Sequence, residues 1–130
     1  MSPFLFLLVV YGAAILLLKT LDMSTRSWKV LSWNVCGINS DKKWNSIRDW
    51  IIESFCDIIC LQETKRAQFD VNFIQKFCPP SFDTFDFIPS VGASGGSIVI
   101  WKNCFFRGTR VFHNEYAASI EFTSLRNGAT

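Results

Sequence analysis

Two polar side chains stand where chemistry could be done: Asn34, closing Lys29-Val30-Leu31-Ser32-Trp33, and Glu63, closing Asp57-Ile58-Ile59-Cys60-Leu61-Gln62. Both preceding runs are short, apolar and β-branched or aromatic, which is strand composition. Ligands in open α/β sheets sit outside the carboxyl ends of the strands, so a carboxamide and a carboxylate at neighbouring strand ends make an oxygen site for a hard cation. Magnesium suits such a pair, because it takes one or two carboxylates and fills its remaining positions with water and phosphate oxygens. The same spacing also suits a turn-capping Asn34 and a solvated Glu63, and the two residues alone leave both readings open. Lys65 and Arg66 follow at once and are candidates for contact with a nucleic-acid backbone, although lone surface cations are commonly just solvated. The five cysteines include no Cys-x-x-Cys pair and have one histidine, His113, to join them, so neither zinc nor a disulfide framework is expected. Free thiols in and beside apolar runs behave as small buried hydrophobes and point to a reducing compartment.

These residues must be positioned by alternating strands and helices. The strand Lys29–Asn34 is closed by Gly37, and Ser40 or Asp41 can cap a helix over Lys42–Phe55, where Trp44, Ile47, Ile51 and Phe55 recur at three- and four-residue steps. Asp57–Gln62 is a continuous apolar run too short for a helix, as expected of a strand buried on both faces. Phe69–Phe77 reads as a second helix stopped by Pro79 and Pro80, and Thr84–Ile88 as a strand. The loop Gly92-Ala93-Ser94-Gly95-Gly96 feeds a strand over Ser97–Trp101, and Phe105–His113 and Tyr116–Thr123 complete the set. Trp44, Trp50, Phe69 and Phe73 are assigned to the core, and His113 and Tyr116 to ordinary strand positions. Strand-helix alternation followed by hairpins predicts an α/β sandwich.

A length of 130 residues allows one domain at most, and 49% hydrophobic residues with a net charge of +2 exclude a disordered tail and a protein that grips nucleic acid through bulk positive charge. The hydrophobicity is uneven. Phe4–Leu18 carries no charge, so residues 1–19 are expected to form an apolar helix of about 27 Å, a candidate membrane anchor. Residues 20–27 read as a linker and residues 28–130 as the α/β domain. Lys19, Arg26 and Lys29 lie beyond the apolar run, which would keep the domain cytosolic. The alternative is an extension ahead of a start at Met23, leaving a cytoplasmic or nuclear product.

The stretches Trp28-Lys29-Val30-Leu31-Ser32-Trp33-Asn34-Val35-Cys36-Gly37-Ile38 and Asp57-Ile58-Ile59-Cys60-Leu61-Gln62-Glu63-Thr64-Lys65 resemble the opening of the endonuclease/exonuclease/phosphatase superfamily. The Leu-Gln-Glu-Thr-Lys ending is similar to the DNA nuclease branch of abasic-site and non-LTR retrotransposon endonucleases. Ser94-Gly95-Gly96-Ser97-Ile98-Val99-Ile100-Trp101-Lys102 is similar to the plant retrotransposon type. The resemblance implies a truncated four-layer α/β sandwich, DNA as substrate, Mg²⁺ as cofactor, Glu63 as a direct metal ligand and Asn34 as the residue that orients phosphate and metal-bound water. Cys36 stands where repair-type members carry an aspartate, and a thiol is a poor magnesium ligand. The resemblance further implies a mid-domain aspartate-x-asparagine and a terminal aspartate-histidine pair, which the chain reaches Thr130 without. An N-terminal portion, catalytically silent or nearly so and poorly soluble as an isolated monomer, is therefore expected. The rival readings are a membrane-tethered, non-catalytic α/β module and a phosphatase or sphingomyelinase relative.

Overall fold

The computed structural model describes residues 4–11, 14–19, 29–92, 95–104, 106–113 and 117–124. The apolar leader is the main departure from expectation: it forms no helix but two antiparallel strands, β1 (Phe4–Tyr11) and β2 (Ala14–Lys19), in register from Phe6 opposite Lys19 to Tyr11 opposite Ala14. The physical reason is a partner. Residues such as Phe, Val, Tyr and Ile favour an extended backbone when a neighbouring strand completes their hydrogen bonds, and β1 finds that neighbour near the other end of the chain. Among the described residues no helix is long and apolar enough to cross a membrane.

The rest follows the strand-helix alternation. β3 (Val30–Asn34) leads to α1 (Asp41–Ser54), which returns the chain to β4 (Ile58–Gln62). Ser40 caps α1, its hydroxyl accepting from the Lys43 N–H, and Phe55 ends it in the left-handed conformation. The second helix is far shorter than the Phe69–Phe77 expected: α2 covers only Val71–Ile74, and Asp70 caps it by accepting from the Phe73 N–H. Lys76 and Phe77 then donate to Phe73 and Ile74 in tighter turns before the two prolines. β5 (Thr84–Ile88), β6 (Ser97–Trp101), β7 (Phe106–His113) and β8 (Ala117–Ser124) lie within a residue or two of the expected positions.

The strands make two sheets, ordered β3-β4-β6-β5 and β2-β1-β8-β7. Only β3–β4 is parallel, the pairing that α1 makes possible as a crossover. The alternation of side chains along these strands divides the first sheet between two cores. Ile59, Leu61, Ile98 and Ile100 face α1 and α2, packing with Ile47, Ile51, Phe73 and Phe77. Residues of the other parity face the second sheet, where Trp101 meets Phe122 edge-on at 5.0 Å between ring centroids. Gly108 on β7 lies against the Trp101 ring so closely that a Cβ there would come within 2.5 Å of it. The sheets are also joined by charge: the Arg110 guanidinium of β7 grips the buried Asp86 carboxylate of β5 through Nε and Nη2. His113 Nε2 lies 2.9 Å from the Phe87 carbonyl oxygen, an ordinary strand role as expected.

Two assignments to the helix core are corrected. Phe55 is 80% exposed, because it is the left-handed cap residue that carries the chain off the helix, and Trp50 is 54% exposed, one position round from the Ile47–Ile51 stripe. β8 is paired with β7 on one side and with β1 on the other.

Cys56, Cys60 and Cys78 are buried, and Cys36 and Cys104 are exposed. Burial pushes all three buried thiols up from the ordinary thiol range, which suppresses the reactive thiolate.

Three outcomes are expected. A native thiol titration near pH 8 should register two rapid equivalents, rising to five in denaturant. Gly108→Ala should lower the unfolding free energy measured in urea by about 1–3 kcal/mol, because the Trp101 ring cannot yield without parting the sheets. A chain starting at Met23 would lose β1 and β2, bare the β8 edge and aggregate; a monodisperse, cooperatively melting product would show that the hairpin is dispensable.

Candidate metal and phosphodiester site

The parallel register sets Asn34 opposite Gln62, so Asn34 and Glu63 emerge at the same end of adjacent strands, one residue apart in register. Backbone hydrogen bonds on two sides then fix residues 63–65. From the β3–α1 loop, Gly37 N–H donates to the Glu63 carbonyl at 2.7 Å and Ile38 N–H to the Thr64 carbonyl at 3.1 Å. From the β5–β6 loop, the Gly96 and Gly95 carbonyls accept from Thr64 and Lys65 N–H at 3.1 and 2.8 Å. Held this way, Glu63 (φ 58°), Lys65 (φ 57°) and Cys36 (φ 53°) all adopt the left-handed conformation. Such conformations cost on the order of 1–3 kcal/mol each for side-chain-bearing residues and gather at functional sites, where the surroundings enforce them.

The Asn34 carboxamide oxygen accepts from Cys36 N–H at 3.3 Å and lies 3.4 Å from Cys36 Sγ. Asn34 is thus a turn-capping residue and a strand-end carboxamide at once. The Glu63 side chain is half-buried. Thr64, between Glu63 and Lys65 in the chain, is wholly buried, and its hydroxyl has no hydrogen-bond partner among the described residues. Gly96, at φ 92°, lies against it: any Cβ on Gly96 would collide with the Thr64 hydroxyl oxygen.

The two candidate cations differ. Lys65 is exposed, whereas the donors of Arg66 are engaged within the protein, Nε to the Gln68 carbonyl at 2.7 Å and Nη1 to Asn39 Oδ1 at 3.0 Å, and its guanidinium lies 3.6 Å from the centroid of the Phe73 ring. Asn39, which sequence reasoning passed over, also donates to the Lys65 carbonyl at 3.2 Å and so ties the two site loops together; its place in the Gly37–Asp41 loop was the available signal. The Asp-x-Asn spacing, read as missing, does occur once, at Asp70-Val71-Asn72, but Asp70 is the α2 cap, accepting from Phe73 N–H at 2.8 Å. Among the described residues, no three His, Cys, Asp or Glu side chains gather around one point. One carboxylate and one carboxamide on neighbouring strand ends fit a weakly held Mg²⁺ that keeps most of its water.

A sequence model of the endonuclease/exonuclease/phosphatase family matches residues 31–122. The DNA repair nuclease APEX1 of Danio rerio is 41% identical over 51 residues, which are 39% of this chain and 16% of that protein. Among solved structures, the AP endonuclease LMAP of Leishmania major superposes with a TM-score of 0.47 at 26% identity, covering 68% of this chain and 30% of its own. The catalytic domain of Xenopus laevis APE2 gives a TM-score of 0.42 at 23% identity over 58% of this chain and 24% of its own. The chain thus spans under a third of the length of each. With the family match running from β3 into β8 and so over well more than half of the chain, the chain belongs to the endonuclease/exonuclease/phosphatase family.

Proposed function

We propose that residues 28–130 are the N-terminal portion of a Mg²⁺-dependent DNA phosphodiesterase domain, and that residues 4–19 serve it as an edge hairpin. The observation that carries this reading is the register of β3 and β4, which delivers Asn34 and Glu63 to one strand end inside the stretch matched by the family. Glu63 is assigned as the metal-ligating carboxylate and Asn34 as the carboxamide that orients the scissile phosphate. Mg²⁺, when bound, supplies polarisation of the phosphodiester and charge stabilisation at the leaving oxygen. Lys65, exposed beside Glu63, is positioned to meet the DNA backbone, with Arg66 bracing the loop that presents it. The APEX1 likeness supports a nuclease of abasic-site type, and the Ser94–Lys102 stretch keeps the retrotransposon type within the proposal.

No side chain of the described site is placed to take a proton from the attacking water: Asp70 caps a helix and His113 lies in β7. General-base activation needs such an acceptor within reach. Metal binding without turnover is therefore the expected behaviour of this chain.

Water-proton relaxation with Mn²⁺ as the probe should report one weak site, and Glu63→Ala should abolish it. Equal relaxation in the two proteins would sink the assignment. Gly96→Ala, which leaves the carboxylate intact but drives Thr64 from its seat, should weaken Mn²⁺ by about tenfold or more, as loss of a supporting residue does. Supercoiled plasmid should remain un-nicked with Mg²⁺; robust nicking that Glu63→Ala removes would show that the acid-base machinery is already complete.

A further inference from the structure

The clamp on residues 63–65 is made of main-chain groups, and one side chain, Asn39, extends it to the two cations that follow Glu63. Both ends of its carboxamide are used. Nδ2 donates to the Lys65 carbonyl at 3.2 Å, while Oδ1 accepts from Arg66 Nη1 at 3.0 Å. An aspartate or a lysine at this position could make only one of the two bonds, since the first has no donor and the second no acceptor.

Arg66 carries the tie from the exposed loop into the core. Its Nε donates to the Gln68 carbonyl at 2.7 Å, and its guanidinium carbon lies 3.6 Å from the centroid of the Phe73 ring and 5.8 Å from that of Phe69. Both rings are buried. The Arg66 carbonyl accepts in turn from Ser90 N–H at 3.1 Å. Asn39, itself exposed, is therefore bonded to a group seated on rings that cannot move.

Lys65 is held at both of its backbone groups, N–H by the Gly95 carbonyl at 2.8 Å and C=O by Asn39. Its φ of 57° is left-handed, a conformation that a lysine leaves once its surroundings stop enforcing it. Its stem passes close to the β3–α1 loop, where a Cβ on Gly37 would meet Lys65 Cδ at 3.7 Å. A long, exposed lysine loses much freedom when it meets a phosphate, and fixing its main chain beforehand removes part of that cost.

We propose that Asn39 is a positioning residue of the site: it locks the Lys65 main chain to the Arg66 guanidinium and so aims the exposed Lys65 ammonium at a phosphate of the DNA backbone. The inference rests on the nuclease reading of the site. Asn39 acts through Lys65 and makes no DNA contact of its own, so its effect on binding disappears when Lys65 is gone.

Two measurements on the full chain test it. The first is anisotropy of a short fluorescein-labelled DNA duplex across a salt series with Mg²⁺ present. Lys65→Ala should make the dependence of log Kd on log salt shallower by about 0.9, the share of one phosphate contact. Asn39→Leu, which keeps the branched shape and replaces oxygen and nitrogen by methyls, should do the same, and the double variant should bind no more weakly than Lys65→Ala. Arg66→Lys keeps the charge but loses the fork that Asn39 holds; it should behave likewise, and it decides the matter if Asn39→Leu fails to fold. The second is limited trypsin digestion, which reads the tie without DNA. Freeing the Lys65 carbonyl should speed the cut after Lys65 by about tenfold, because cleavage follows the population of the locally opened loop. The proposal is overturned if Asn39→Leu binds duplex as the wild-type chain does, if the losses add in the double variant, as they do for independent contacts, or if the cut after Lys65 is unchanged. A wild-type chain that binds no duplex, with the Lys65 bond still opened by Asn39→Leu, would bring down the nuclease reading and the aiming role with it, leaving Asn39 a structural tie.

Discussion

Everything proposed for the site depends on the backbone clamp around residues 63–65. A loop from β3 and a loop from β6 each give two main-chain hydrogen bonds to the same three residues, and this forces two consecutive odd positions, Glu63 and Lys65, into left-handed geometry. The clamp leaves no freedom at its centre, since Thr64 is buried and Gly96 lies against it. Glycine is required at Gly96 for two separate reasons, its positive φ and the lack of room for a Cβ. The carboxylate of Glu63 thus owes its position to residues that carry no charge.

Much of this was legible in the sequence because it rests on local pattern. β4 and β6 read as continuous apolar runs and are buried at every position, and α1 announces itself by Ser40 and the Ile47–Ile51 repeat. The strand-end positions of Asn34 and Glu63 follow from those boundaries alone. What was not legible depends on partners distant in sequence. Nothing local distinguishes an apolar helix from a pair of apolar strands over Phe4–Leu18; the choice is made by β8, more than a hundred residues away. Trp50 reads as core by type and is exposed because the helix turns a neighbouring stripe inward. Arg66 reads as a free cation until Asn39 and Phe73 are seen to hold it.

The cysteines show how packing decides chemistry. Cys60 lies on a strand buried on both faces, and Cys36 on a strained exposed turn next to Asn34. The same side chain is inert filling at one position and, at the other, the group standing where the resemblance to repair enzymes calls for an oxygen ligand.

The pairing of β1 with β8 also has a kinetic side. Phe4 finds its partner at Thr123, so β1 is completed by a strand more than a hundred residues further along the chain. The loop-closure penalty grows only logarithmically with chain length, by about 0.6 kcal/mol per doubling, so the separation costs little at equilibrium. During synthesis it is a matter of waiting. Until Ala117–Ser124 emerges, a strongly apolar hairpin, charged only at Lys19, has no sheet to join and stays open to whatever in the cell captures nascent hydrophobic chain.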